Sequence, residues 1–166
     1  MLGMPSVRPS VLWKNMPIDK RIAAAEAFWQ DENGLEQQME AVVAIARKLK
    51  FRPKSVQQQP LERRAKQLAH LGDVSETVAT RALIAYHLAA ERAMMAAFLD
   101  ALAIAHEDGL ITAEEMAPPP PEKIAAAAAS LTGKFPADAV ALYLNTLLTQ
   151  DPDTWSALEG LPQLNH

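Results

Sequence analysis

From Ser75 to His106 the chain runs for thirty-two residues without a glycine or a proline, and it is dense in alanine and leucine. Such a segment is strongly biased towards helix, because alanine is the best helix former and no residue in it breaks the backbone ladder. Unbroken, it would extend for about 48 Å at roughly 1.5 Å per residue, long for a chain of this size. A break or sharp kink is therefore expected near Glu91–Met94, although no glycine or proline marks one. Whether 75–106 is one helix or two stays open at this level.

The rest of the chain reads the same way. It has 166 residues, enough for one ordinary domain, with 49% hydrophobic and only 5% aromatic residues. Alternating runs of Val, Ile, Thr and aromatic residues, the mark of strands, are missing. The expected fold class is all-α: a single-domain bundle of six to eight helices, with antiparallel hairpins around a central apolar helix. Helices are expected from Pro17, stopped by Asn33-Gly34; from Leu35 to Lys50; from Pro60 to about Leu71; from about Glu122 to Leu131; and from Pro136 to about Thr149. In the second of these, Leu35, Met39, Val42, Val43, Ile45, Ala46 and Leu49 recur at helical spacing. Ser75 is a good N-cap for the long central segment. Residues 1–16 read as an irregular arm and 17–160 as one domain, divided into a main part (17–116), a polyproline connector (117–121) and a docked helical hairpin (122–160), with a tail at 161–166.

With no cysteine, disulfides, thiolate zinc sites, cysteine-ligated clusters and a cysteine nucleophile are excluded together. The beginning of the chain does not read as a secretory or transit segment. The apolar run Ala82–Ala105 carries His87, Glu91, Arg92 and Asp100, which argues against a membrane span. A cytoplasmic protein with no membrane partner is the expectation.

Charge is the most uneven property. Net charge is −4, yet residues 47–66 hold eight of the sixteen cations and only Glu62 as an acid, a local +7. The remainder carries eight cations against nineteen acids, or −11. Such asymmetry can mark a surface for nucleic acid or for an acidic partner; it can also be a solvated helix face. The candidate macromolecule-binding residues are Arg47, Lys48, Lys50, Arg52, Lys54, Arg63, Arg64, Lys66 and Arg81.

Three local patterns suggest chemistry. HEDGLITAEE (106–115) ends like a calcium loop, with Asp108, Gly109, Ile111 and Glu115 in place, but the first ligand position falls on Ile104, which cannot coordinate. The simpler expectation is a helix–helix connector in which Gly109 stops one helix, Thr112 caps the next, Glu115 completes a capping box, and Ile111 pairs with Met116. LAHLGDVSETVATRAL (68–83) resembles the helix-turn-helix of repressor proteins, with Leu68-Ala69 on the first helix, Val74-Ser75 at the turn and Arg81-Ala82-Leu83 on the second. It departs from that pattern at Asp73, where a glycine is usual. The resemblance implies base contacts from Ser75, Glu76, Thr77, Thr80 and Arg81, and phosphate contacts near Arg63, Arg64 and Lys66. An ordinary helical hairpin accounts for the same residues. Finally, His87 and Glu91 lie four apart, on one face of a continuous helix, and could share a metal if His70, His106 or Asp100 joined them.

Met94, Met95, Phe98 and Leu99 form an apolar cluster suited to a core or to a groove. No phosphate loop, HExxH, GxSxG or dinucleotide fingerprint is present. No catalytic residue, cofactor or resident metal is expected. The balance favours a non-enzymatic scaffold or adaptor that binds a protein partner through the 47–66 surface or an apolar groove. DNA binding through 68–83 is the alternative, and a metal or enzymatic site at His87 and Glu91 comes third. Self-association is left open.

Overall fold

A computed structural model describes residues 7–165. The chain is all-α, with ten α-helices and one two-stranded hairpin among the described residues. It divides into two compact units after Ala89, not at the polyproline connector.

The first unit, Pro9–Ala89, begins with α1 (Pro9–Asn15), where an irregular arm is expected; residues 1–6 of that arm lie outside the described residues. Proline suits a first helical turn because its missing N–H would be unpaired there anyway. Trp13 is completely buried, which anchors the short helix. Next come α2 (Ile18–Gln30) and α3 (Leu35–Leu49), joined at the expected Asn33-Gly34 turn. The short α4 (Pro53–Gln57) starts on its proline, and α5 (Leu61–Ala69) packs along α2. In this unit α6 (Glu76–Ala90) is capped by Ser75, whose hydroxyl accepts the Val78 N–H at 3.2 Å. Phe28, Ile45, Val56, Leu68 and Leu83 are fully buried, as are small residues such as Ala24, Ala65, Ala79 and Ala82.

Asp31 ties this unit together. One of its carboxylate oxygens accepts the Arg81 Nε–H at 2.8 Å and the other accepts the Asn33 N–H at 3.0 Å. Its carbonyl accepts from the Gln38 amide at 2.8 Å, and the same amide reaches the Phe28 carbonyl at 2.9 Å.

The second unit, residues 90–165, opens with α7 (Arg92–Ala101). Glu91 leaves the helical conformation (φ −127°, ψ 24°), so the long apolar segment is two helices. Contacts made after the break favour it. The first turn of α7 is fastened to the hairpin of β1 (His106–Glu107) and β2 (Leu110–Ile111), and Arg92 Nη1 donates to the Asp108 carbonyl at 3.0 Å. This hairpin replaces the expected helix–helix connector. Asp108 and Gly109 both take positive φ (50° and 90°), as a two-residue Asp-Gly turn of the primed kind requires. No helix starts at Thr112, so Glu115 completes no capping box and Ile111 with Met116 forms no staple; the chain re-enters helix only at α8 (Pro121–Leu131). Then follow α9 (Ala137–Gln150), α10 (Pro152–Trp155) and two short turns, Ser156–Leu158 and Pro162–Leu164. Phe98 meets Tyr143 edge-on at 5.7 Å and Trp155 at 5.6 Å. With Met94, Met95 and Leu99 also buried, the 94–99 cluster is core. The expected tail is tied down up to residue 165: Asn145 Nδ2 donates to the Leu164 carbonyl at 3.0 Å.

Two substitutions probe these joints. A Cβ at Gly109 would sit 2.7 Å from the Cβ of Met95 on a backbone at φ 90°, so Gly109→Ala should destabilise by more than ~1 kcal/mol in urea unfolding. Asp108→Gly should be neutral or stabilising in the same measurement. Arg81→Met would leave the Asp31 carboxylate, 14% exposed, without its charged donor, and should cost about 2 kcal/mol. A loss below roughly 0.5 kcal/mol would mean that the pair behaves like a solvated surface bridge.

Candidate functional site

The basic residues are distributed over three successive helices of the first unit. Arg47 and Lys48 lie in the last turn of α3, Lys50 and Arg52 at the corner after it, Lys54 on α4, and Arg63, Arg64 and Lys66 on α5. Lys50 ends α3 in the left-handed conformation (φ 60°, ψ 37°), and the Phe51 N–H closes back on the Ala46 carbonyl at 2.9 Å. Glycine is the usual residue in this helix-ending position, and a lysine there costs roughly 1 kcal/mol.

Two of the eight cations are engaged. Arg64 lies over the Trp29 ring at 5.1 Å and donates to the Gln59 carbonyl at 3.1 Å; its role is to cover the core. Lys66 pairs with Glu62 one turn away at 3.3 Å, an exposed pair of little energetic weight. Arg47, Lys48, Lys50, Arg52, Lys54 and Arg63 are exposed and have no acidic partner among the described residues.

Between the end of α3 and α5 lies an open cleft of about 280 Å³, lined by Lys48, Leu49, Arg63, Lys66, Gln67, His70 and Leu71. Its surface is almost wholly apolar, so the long cations contribute their aliphatic stems while their heads reach water. His70 Nδ1 donates to the Lys66 carbonyl at 2.7 Å, which fixes the ring at the cleft edge. Charge counting alone does not find Leu49, His70 and Leu71. The available signal is the pairing of two helix ends, with Leu49 between Lys48 and Lys50 at one and His70-Leu71 just past the other. Leu35, Met39 and Val43, at core-like spacing, are instead exposed by 66%, 48% and 41%, and Leu49 by 42%. At about 100° per residue the seven apolar positions of α3 cover more of the circumference than one neighbour can bury.

Of the five base-reading residues of the helix-turn-helix resemblance, all but the half-buried Thr80 are occupied within their own unit. Glu76 accepts from the backbone and hydroxyl of Ser10 at 2.9 and 2.8 Å. Thr77 donates to Glu40 at 2.8 Å, Arg81 is held by Asp31, and Ser75 is the cap. The start of α6 thus faces α1, α3 and the α2–α3 corner.

The histidine candidates are separated in role. His87 is 3% exposed and its Nδ1 donates to the Leu83 carbonyl at 2.8 Å. Glu91 lies beyond the end of α6, so the one-face premise for the pair fails. His106 Nε2 donates to Asp100 at 2.7 Å, while its Nδ1 accepts the Gly109 N–H at 3.0 Å; both ring nitrogens serve the hairpin. No group of three His, Cys, Asp or Glu able to hold a metal comes together among the described residues. No single helix among them is long and apolar enough to cross a membrane.

Burial pushes the His87 imidazole down to about 4, with the Leu83 carbonyl working the other way. The unfolded chain therefore binds one more proton than the folded one between about pH 6.5 and 4. This contribution is fully present above the unfolded value and is lost as the pH falls through that window, on the order of 3 kcal/mol. His87→Asn should flatten the stability profile there, read by urea midpoints across the pH series. Parallel losses in the two proteins would show that His87 does not titrate.

No family model matches the chain, and neither a curated protein nor a solved structure matches it.

Proposed function

We propose that the chain is a non-enzymatic adaptor that binds an acidic segment of another protein through the 47–66 surface. One observation carries this reading. The chain has a surplus of acids, nineteen of them outside the segment, yet folding brings none to six of its cations among the described residues. A purely solvated face has no need of a lysine in a left-handed helix terminus. Strain of this kind gathers where a side chain is wanted for another purpose. The neighbouring apolar side chains, Leu49 and Phe51, give a partner something to bury beside the charges.

A protein partner is favoured over nucleic acid on two grounds. Four of the five residues that would read bases, Ser75, Glu76, Thr77 and Arg81, are committed to hydrogen bonds within their own unit. A long polyanion continuing past the patch would also meet the rest of the first unit, which carries four cations against eight acids, or −4. The helices are read as a multi-helix scaffold that presents this surface.

Lys50→Gly separates structure from function. Glycine relieves the left-handed terminus, so the variant should be more stable by roughly 0.5–1 kcal/mol. It should also bind poly-glutamate more weakly, and neutralising Arg47, Lys50, Arg52 and Lys54 together should weaken binding at least about tenfold at low salt. The measurement is a fluorescence titration at two salt concentrations, with duplex DNA as the competing ligand. Tighter, steeply salt-dependent binding to the duplex would move the assignment to nucleic acid.

A further inference from the structure

We infer that the cleft between the end of α3 and α5 receives one bulky apolar side chain of an acidic partner segment, with carboxylates on either side of it. This deepens the acidic-partner reading and rests on it. Charge alone would need only a convex face with lysine and arginine heads on it. Here Leu49 and Leu71 line a recess of about 280 Å³, with Lys48, Arg63 and Lys66 around it. The volume falls just below the range of about 300–1,000 Å³ typical of small-molecule sites, and suits a single leucine or phenylalanine anchor better than a whole cofactor.

The form of the cleft says what kind of segment fits. It opens between a helix end and a helix side, so an anchor must project from the partner rather than lie flat on it. Lys48 comes from α3, whereas Arg63 and Lys66 lie three apart on α5 and share a face. Carboxylates both before and after the anchor can thus be met together. Lys66 is held only by the exposed Glu62 pair, which a better-placed partner carboxylate can displace. A nucleic acid offers phosphates but no aliphatic anchor, and the cleft's single ring, His70, is held at its edge by the Lys66 carbonyl.

The test uses the whole chain and three defined probes: a short acidic peptide with one central leucine, the same peptide with alanine there, and a single-stranded oligonucleotide of equal charge. The leucine peptide should bind about tenfold more tightly than the alanine peptide, the difference expected for burying one such side chain. The preference should vanish in Leu49→Ser, whose site is already 42% exposed, so that the fold survives; thermal unfolding of the variant checks this. Replacing Lys48 and Arg63 with glutamine should weaken both peptides alike. Equal, salt-sensitive binding of the two peptides would overturn the anchor while leaving the acidic-partner reading standing. Tighter binding of the oligonucleotide than of either peptide, or binding of none of the three, would overturn both.

Discussion

The Asp31 carboxylate is where the first unit's helices are brought to one point. It is the first residue past α2, and it holds the Asn33 N–H with one oxygen and Arg81 of α6 with the other. The Gln38 side chain, from the first turns of α3, closes the corner by donating to the carbonyls of Phe28 and Asp31. Little space is left: a Cβ on Gly34 would stand 3.2 Å from the Arg81 Cγ and 3.3 Å from the Asp31 carboxylate. Two side chains this sheltered cannot exchange their partners for water without paying desolvation, so the corner is specified by chemistry as well as by packing.

Its consequences run along α3. With its first turns fixed at this corner, the helix carries Arg47, Lys48 and Leu49 to its far end, beside α5. The closing turn there is made by Lys50 and Phe51, and α4 begins two residues later on Pro53, so three helices meet within one charged region. Trp29 and Arg64 stabilise the other face of α5. The basic surface is thus a product of the unit's geometry, although most of its members are neighbours in sequence.

Periodicity and breakers made much of this legible. Helices α2, α3, α5, α8 and α9 start and stop within a few residues of where Pro17, Asn33-Gly34, Pro60, the polyproline run and Pro136 place them. The break at Glu91 was foreshadowed by length alone, because its cause is non-local: the Asp108-Gly109 turn fits against the first turn of α7. That same Asp-Gly pair could be read as helix punctuation or as a hairpin turn, and only the partner strands decide between the two. That Trp13 would lie on the body could be read from the apolar run Val11–Trp13. The seven residues between Pro9 and Pro17 are too few to show a helical period, so the helix at 9–15 was not legible. The candidate surface was half legible. Its charges stand in one run, whereas Leu71 and His70 reach the cleft through tertiary contact, and Arg64 and Arg81 leave the binding set because Trp29 and Asp31 claim them.

The charge distribution gives the proposed surface its physical character. At physiological salt, exposed charges are felt over about 8 Å, so a ligand approaching from afar meets little of the local +7 until it is close. A long polyanion that stayed bound would also lie beside the rest of the first unit, where eight acids outnumber four cations. What the field favours is a ligand whose negative charge is as local as the patch: an acidic stretch in an otherwise balanced protein. For such a ligand the two halves of the surface divide the work. On that proposal the unpaired, exposed cations would raise the association rate, an effect that salt weakens. The proposed apolar recess would act after contact, where removal of a leucine side chain from water would slow dissociation and be nearly indifferent to salt. A chain with the charges alone would bind many acidic surfaces briefly. It is the recess beside them that can make one of those encounters last.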